Sequence, residues 1–473
     1  MEPLFKSDKR KSLDRESESD SGSVNDVVAG GYCVGCGGCA AIRNSGYEML
    51  LDPYGMYKPS VSDSDLALKS VSATKSVCPF LGMGSQEDEI SERFRSNKSQ
   101  FDQKLGWYRS LSAGYVRSGE WRSKGSSGGL TSWLLAELLK RGVVDGIIEV
   151  IASNNPASPQ FSYTVTTTEH EIKKCSKTRY FPMNVADVAC FVRENPGKYA
   201  FVGVPCFVKT MRRLAEIDSE IRECVVVHVA IVCGHLKSAR FGESLAWQLG
   251  AIPGEATSLD FRHKIEGRSA SSYGFSVTTT DGGVRVSPMS ELAGHDWGLG
   301  MLRLKACDYC DDIVGETADV SFGDAWLPRY SGDSKGTNIV IVRTPIIQEI
   351  MHESALNGEI FLEDLPENQT IRSQEASFRH RRDGLAYRLY LDDKAGRWRP
   401  RKRTAAQSSH LDCVQKYIFR FRAKISNLSH LIYHTCRLNK DLSPYIRFVR
   451  KCEIQNMRIK KFHRYYKKVV RYF

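Results

Sequence analysis

Three cysteines recur at C-x2-C-x2-C spacing in Cys33-Val34-Gly35-Cys36-Gly37-Gly38-Cys39. The intervening glycines let a loop fold back so that three thiolates converge on one object. Cys78 follows downstream, directly before Pro79. A cysteine triplet with a Cys-Pro ligand is the ferredoxin way of holding a [4Fe–4S] cluster. In the usual bacterial run another cysteine follows after three residues. Arg43 stands at that position, which makes Cys78 the candidate fourth ligand. A structural zinc site also takes four thiolates, though it usually pairs two C-x2-C units.

Four further cysteines fit a second site. Cys206 and Cys233 each follow the C-terminal end of an apolar run, at 199–204 and 224–232. Ligand sites in open α/β sheets collect at such ends. Cys307-Asp308-Tyr309-Cys310 adds a C-x2-C pair, and the four together are a candidate second cluster. The bland alternative is two small buried hydrophobes plus an unrelated pair. Cys175, Cys190, Cys224, Cys413, Cys436 and Cys452 lack such a pattern and read as packing residues.

Elements that position these groups alternate between strand and helix. A strand at 112–117 runs into Ser126-Ser127-Gly128-Gly129-Leu130-Thr131, and then into a helix with Leu130, Trp133, Leu134, Leu138 and Leu139 on its buried side. Gly142 ends that helix and a strand follows at 143–152. Glycines and a helix N-terminus suit a phosphate. The loop lacks the spacing of the common nucleotide fingerprints, and a plain N-cap by Ser126 or Ser127 is the alternative. Strands at 161–168, 199–204, 224–232, 259–262 and 319–322 and helices at 184–193 and 205–215 continue the pattern, with Gly323-Asp324-Ala325-Trp326 closing it. A hairpin is expected over 46–61.

The chain has 473 residues, 41% of them hydrophobic, enough for two or three globular domains. No apolar run of about 18 residues is present. The first residues lack the apolar core of a signal peptide, so a cytoplasmic location is expected. Fourteen cysteines there point to metal or redox work and away from disulfides. The formal charge of +12 is uneven: residues 396–473 carry 21 Lys and Arg against Asp412, Asp441 and Glu453, so the remainder is acidic. In that tail, Ile446, Val449, Ile454, Met457 and Phe462 recur at helical spacing among basic residues. This suits a helix on an anionic membrane surface, on the inner face of the membrane. Nucleic acid is a less favoured partner, and a solvated or partner-docking helix pair is the bland reading.

The motifs together resemble the coenzyme F420 hydrogenase/dehydrogenase beta-subunit family over roughly 28–343. The carriers are the cysteine triplet, Ser126 to Thr131, Lys177-Thr178-Arg179-Tyr180, Gly203-Val204-Pro205-Cys206, Cys233-Gly234, the Cys307/Cys310 pair and Gly323-Asp324-Ala325-Trp326. The resemblance implies an oxidoreductase with FAD and one or two [4Fe–4S] clusters. It also implies flavin contacts from Ser126, Ser127, Gly128, Gly129, Thr131, Lys177, Tyr180 and Gly203, and a redox partner protein or hydride-carrying cofactor. Similar proteins occur among bacterial polysaccharide-synthesis enzymes. An electron-transfer subunit without its own substrate chemistry and a zinc-stabilised scaffold are the competing functions.

The fold class expected is α/β with some α+β character. Residues 1–26 should be disordered, 27–86 a ferredoxin-like cluster module and 87–111 a linker. Residues 112–376 should be a flavin-binding domain with the second cluster, and 377–473 a basic amphipathic helical tail. His235, His263 and Asp324 follow strand ends, but no acid–base pair emerges from them.

Overall fold

Continuous Val/Ile-rich runs of the kind buried on both faces build the centre of the molecule. The computed structural model describes residues 22–153 and 159–470. Its strands are β1 (Tyr47–Leu51), β2 (Tyr57–Val61), β3 (Gln100–Asp102), β4 (Gly106–Tyr108), β5 (Ser110–Val116), β6 (Gly146–Ala152), β7 (Phe161–Thr166), β8 (Tyr199–Gly203), β9 (Val225–Ile231), β10 (Ala256–His263), β11 (Gly274–Thr279), β12 (Val284–Pro288), β13 (Val320–Asp324), β14 (Asn338–Val342) and β15 (Ile360–Asp364). Eight of them form one sheet in the order β15-β5-β14-β13-β9-β8-β6-β7. The β13-β9-β8-β6 centre is parallel, and the pairs outside it are antiparallel. Helices Leu130–Lys140 and Pro205–Ile217 connect strands of this sheet.

The N-terminal module has no separate core. Val27, Tyr32, Val34 and Val77 pack with Val185, Phe207, Met211 and Leu385 in one apolar cluster. Residues 1–21 lie outside the described residues. The rest of the run expected to be disordered is not: helix Val24–Ala29 begins inside it, started by a reciprocal Ser23–Asp26 capping box. The stretch 87–111, expected as a helical linker, contains regular elements. It holds helix Glu87–Ser91 and the β3–β4 hairpin. Glu87 is buried there against Lys209 at 2.9 Å, a pairing whose polar pattern looks like solvent exposure from sequence alone.

The tail is helical, as its amphipathic pattern predicts, and it packs on the body of the molecule. Helices Cys413–Asn439 and Ser443–Val470 form an antiparallel pair: Tyr433 meets Tyr445 at 5.1 Å near the turn, and His463 meets Asp412 at 3.2 Å at the other end. They do not lie free. Ile425, Tyr433, Tyr445, Val449 and Cys452 are buried with residues of helix Ala239–Gln248 and the β10-β11-β12 sheet. Ile454, Met457 and Phe462 remain exposed, so the apolar pattern serves two faces. Among the cysteines read as packing residues, Cys175, Cys224, Cys436 and Cys452 are buried, whereas Cys190 and Cys413 are exposed.

Candidate functional site

The loop bearing Cys33 and Cys36 enters the short helix Gly38–Ala41, which carries Cys39. Gly37 stands at φ +79°, and a side chain there would meet Asn184 at 2.8 Å, so glycine is required. Cys78 ends helix Val71–Val77 in an extended conformation, as a residue before proline should. These elements bring the four thiols within electrostatic reach of one another. Burial, then the charges of Cys36, Cys33 and Cys78, push the Cys39 thiol well above its ordinary value. Burial, then Cys36, pushes Cys78 up to about 12. The Gly35 N–H donates to Cys33 Sγ at 3.4 Å, and Arg213 donates to the Cys78 carbonyl.

The other four cysteines also gather. Cys206 lies in the first turn of helix Pro205–Ile217 and Cys233 just past β9, while Cys307 sits on the tight turn Lys305–Tyr309 with Cys310 after it. Burial, then the charges of Cys310, Cys233, Cys307 and Cys36, raise Cys206 well above a free thiol. The Leu236 N–H donates to Cys307 Sγ at 3.1 Å. Arg381, which no motif marked, lies on the π-helical turn Arg379–Asp383. Its Nη2 donates to the Gly234 carbonyl at 2.7 Å and stands 3.9 Å from Cys233 Sγ. Burial opposes its charge, yet Cys310, Cys233, Cys307 and Cys206 hold it more firmly protonated than an ordinary arginine. Among the described residues, no three Cys, His, Asp or Glu side chains are grouped so as to hold a single metal ion.

A third cluster of groups surrounds the glycine loop. Gly129 at φ +84° caps helix Leu130–Lys140, and a Cβ there would lie 2.7 Å from the Trp121 backbone. The Thr178 N–H donates to Ser126 Oγ at 2.8 Å, which ties the segment bearing Lys177 and Tyr180 to the loop. Lys177 pairs with Asp260 at 3.0 Å. Two basic residues that the sequence reading missed complete the ring. Arg262 at the end of β10 binds Asp324 through two contacts of 3.0 and 3.2 Å and reaches the Ser126 carbonyl at 3.4 Å. Lys264 donates to the Ser127 carbonyl at 3.2 Å. Burial, then the charges of Lys177, Arg122 and Arg262, push the Lys264 ammonium down to about 8. A basic residue directly after a strand carries no spacing signal that could have revealed it.

Aromatic rings line the side of this region towards Cys233. Tyr180 packs on Trp297 at 4.6 Å, and Arg262 lies 4.3 Å from the Tyr273 ring centre. Burial first, and Cys233 among smaller influences, raises the Tyr180 phenol. His235 stacks on Trp297 at 4.3 Å. His263 is half-exposed, 3.9 Å from Asp260, and Asp324 is committed to Arg262. Gly203 ends β8, and a side chain there would strike Phe201 and Phe207.

Residues 111–189 match the family description "Coenzyme F420 hydrogenase/dehydrogenase, beta subunit N-term", and 197–368 match its C terminus. An uncharacterized protein of Methanocaldococcus jannaschii is 24% identical over 250 residues, covering 52% of this chain and 85% of that protein. The coenzyme F420 hydrogenase subunit beta of Methanothermobacter thermautotrophicus is 25% identical over 256 residues, 54% of this chain and 84% of the relative. A chain in a solved structure of the F420-reducing [NiFe] hydrogenase complex from Methanosarcina barkeri aligns with TM-score 0.47 and 19% identity, covering 66% of this chain and 100% of that one. The two family matches span consecutive stretches that include the glycine loop and Cys206, Cys233, Cys307 and Cys310, and the chain belongs to the coenzyme F420 hydrogenase/dehydrogenase beta-subunit family.

Proposed function

We propose that the chain is an iron–sulfur flavoprotein oxidoreductase that exchanges electrons between two [4Fe–4S] clusters, FAD and a hydride or electron acceptor. The observation that carries this reading is the gathering of eight cysteines into two adjoining groups of four, the second beside a cationic and aromatic site. The donors fit: thiols alone suit iron–sulfur binding. Burial and mutual repulsion raise the free thiols, and ferric and ferrous iron would offset both by drawing off their protons. A cysteine triplet completed by a Cys-Pro suits a [4Fe–4S] cluster, whereas structural zinc sites usually pair two C-x2-C units.

In this reading Cys33, Cys36, Cys39 and Cys78 hold one cluster, and Cys206, Cys233, Cys307 and Cys310 the other. Ser126, Ser127, Gly128, Gly129 and Thr131 present backbone N–H groups to the flavin diphosphate, with Lys177, Arg262 and Lys264 supplying positive charge. Tyr180 and Trp297 would contact the ring system and keep water from it. Gly203, at the end of β8, is assigned to the flavin contacts as well. Clusters carry electrons singly, whereas a flavin also handles them in pairs. Arg381 keeps a fixed positive charge against the second thiol group and would favour the reduced state of a cluster held there.

The name of the hydrogenase relative supports an acceptor of the F420 type and a protein redox partner. It equally favours a second reading, an electron-transfer subunit that delivers to that partner. The outer face of the last helix supports contact with an anionic membrane. Iron, sulfide and flavin content of the full chain prepared without oxygen tests the proposal. About eight irons and one FAD per chain are expected. A colourless, iron-free product would overturn it. Turnover of a soluble hydride acceptor separates the two readings.

A further inference from the structure

A cavity of about 190 Å3 lies between the turn that carries Cys307 and Cys310 and the first tail helix. Lys305, Tyr309, Arg388, Asp392, Phe419 and Arg420 line it. Its two carboxylates are already neutralised. Asp308 pairs with Arg303 at 2.8 Å and with His380 at 2.8 Å. Asp392 pairs with Arg397 at 2.7 Å and accepts from the Tyr309 hydroxyl.

The cations are not matched in the same way. Among the described residues, no carboxylate forms an ion pair with Lys305, Arg388 or Arg420. Lys305 donates to the Gly30 carbonyl at 2.6 Å. Arg388 is 6% exposed, and its Nε and Nη2 donate to the carbonyls of Asp308 and His380 at 2.8 and 2.7 Å. Its Nη1 has no partner. Asp308, already paired with Arg303, favours the Arg388 charge from a distance, but a buried guanidinium with a vacant N–H and no direct ion pair is costly unless something anionic completes it.

We propose that this cavity binds a small oxyanion of the phosphate or polycarboxylate class. At about 30 Å3 per water, the space equals roughly six waters. That suits a small anion and is below the size of a typical cofactor pocket. The site stands apart from the glycine loop, and Arg388, Phe419 and Arg420 lie beyond the residues matched to the family. Tyr309 sits between Cys307 and Cys310 in the chain and in the cavity wall, so a bound anion places negative charge beside the second thiol group.

Calorimetric titration of the full chain, prepared without oxygen, with inorganic phosphate and separately with citrate tests the site at constant ionic strength. Saturable binding of at least one of them is expected, and the stronger identifies the anion class. Arg420→Ala changes an exposed residue at the cavity and should weaken binding at least fivefold. Arg388→Met should abolish it. If that variant does not fold, Arg420→Ala together with Lys305→Met still decides. Lys264→Gln, at the glycine loop, should leave the binding intact, which keeps this site separate from the flavin reading. Unchanged affinity in Arg420→Ala and Lys305→Met, or an equal response to potassium chloride, would overturn the proposal.

Discussion

Cys36 and Cys206 mark the place where the two thiol groups meet. Charge on Cys36 adds to the upward shift of Cys206, and both raise the Tyr163 phenol after burial has done so. The Tyr163 ring stacks on Phe201 of β8 at 5.3 Å. If clusters occupy both groups, the electrostatic link between Cys36 and Cys206 brings the two within reach of each other. Replacing a ligand in one group should therefore empty that group and silence its magnetic coupling to the other. Cys39→Ser and Cys310→Ser should each lower iron from about eight to about four per chain. Paramagnetic resonance of the reduced protein should show two interacting centres in the parent and a single isolated one in each variant. Retention of eight irons in either variant would refute the assignment.

Arg381 offers a test of electrostatics without removing a ligand. If the second thiol group holds a cluster, this charge would stabilise its added electron, so loss of Arg381 should lower that centre's reduction potential. A charge pair at short range and an effective dielectric of about 20 interacts by a few kcal/mol, which corresponds to on the order of 100 mV for one electron. Arg381→Lys keeps the sign and should recover part of the difference, whereas Arg381→Gln should not. A redox titration monitored by paramagnetic resonance reads both.

The glycine loop makes a pH prediction through Lys264. Its value near 8 lies below the ordinary 10.5, so the neutral form is favoured in the fold. Anion binding needs the charged form. Flavin retention should therefore be strongest below about pH 8 and weaken above it, with the break moved upward while flavin is bound. Folding stability of flavin-free protein responds oppositely: between about pH 8 and 10.5 the unfolded chain binds more protons at this group, so its contribution to stability rises with pH. Lys264→Gln should remove both slopes and reduce flavin affinity about ten- to a hundredfold, the range of one charge-assisted hydrogen bond. Flavin release against pH, followed by fluorescence, measures this.

Glu149 gives a stability prediction away from the thiols. It lies in the centre of β6, its carboxylate accepts from Thr166 Oγ1 at 2.7 Å, and burial pushes it up to about 8. The native state prefers the protonated acid. Between the ordinary carboxyl range and pH 8 the unfolded chain binds fewer protons there, so stability from this group falls as pH rises. Glu149→Gln keeps a neutral polar side chain and should flatten that decline, raising stability at pH 8 by a few kcal/mol. Denaturant midpoints at pH 5 and pH 8 for both proteins provide the comparison.

The parts of the site that were legible in the sequence are those encoded locally. A C-x2-C-x2-C loop, a Cys-Pro, and cysteines at the ends of apolar runs carry their own spacing, and β6, β8 and β9 fall within the apolar runs expected to form strands. Arg262, Lys264 and Arg381 were not legible, because each reaches the site across the fold from a stretch with no motif. The tail shows a different limit. Helical periodicity reveals that a face must be covered, but the same spacing of Val449 and Ile454 serves a protein core and an open surface alike.

That division of the last helix leads to a test of its outer face. Tyr445, Val449 and Cys452 are buried against the body, while Ile454, Met457, Phe462 and Tyr465 are exposed beside Arg458, Lys461 and Lys468. From 454 to 468 the chain carries six Lys and Arg and no acidic residue. Two such faces would repel each other, which favours an anionic membrane over a second copy of the chain. Each basic residue near such a surface contributes about 1 kcal/mol. A chain ending at 456 keeps the buried contacts and should fold, yet lose binding to vesicles containing phosphatidylserine. A chain ending at 390 forfeits Tyr433 and Tyr445 from the core and should be destabilised instead. Binding of the full chain should fall steeply with salt. Equal binding to neutral vesicles, or undiminished binding by the chain ending at 456, would place the contact elsewhere.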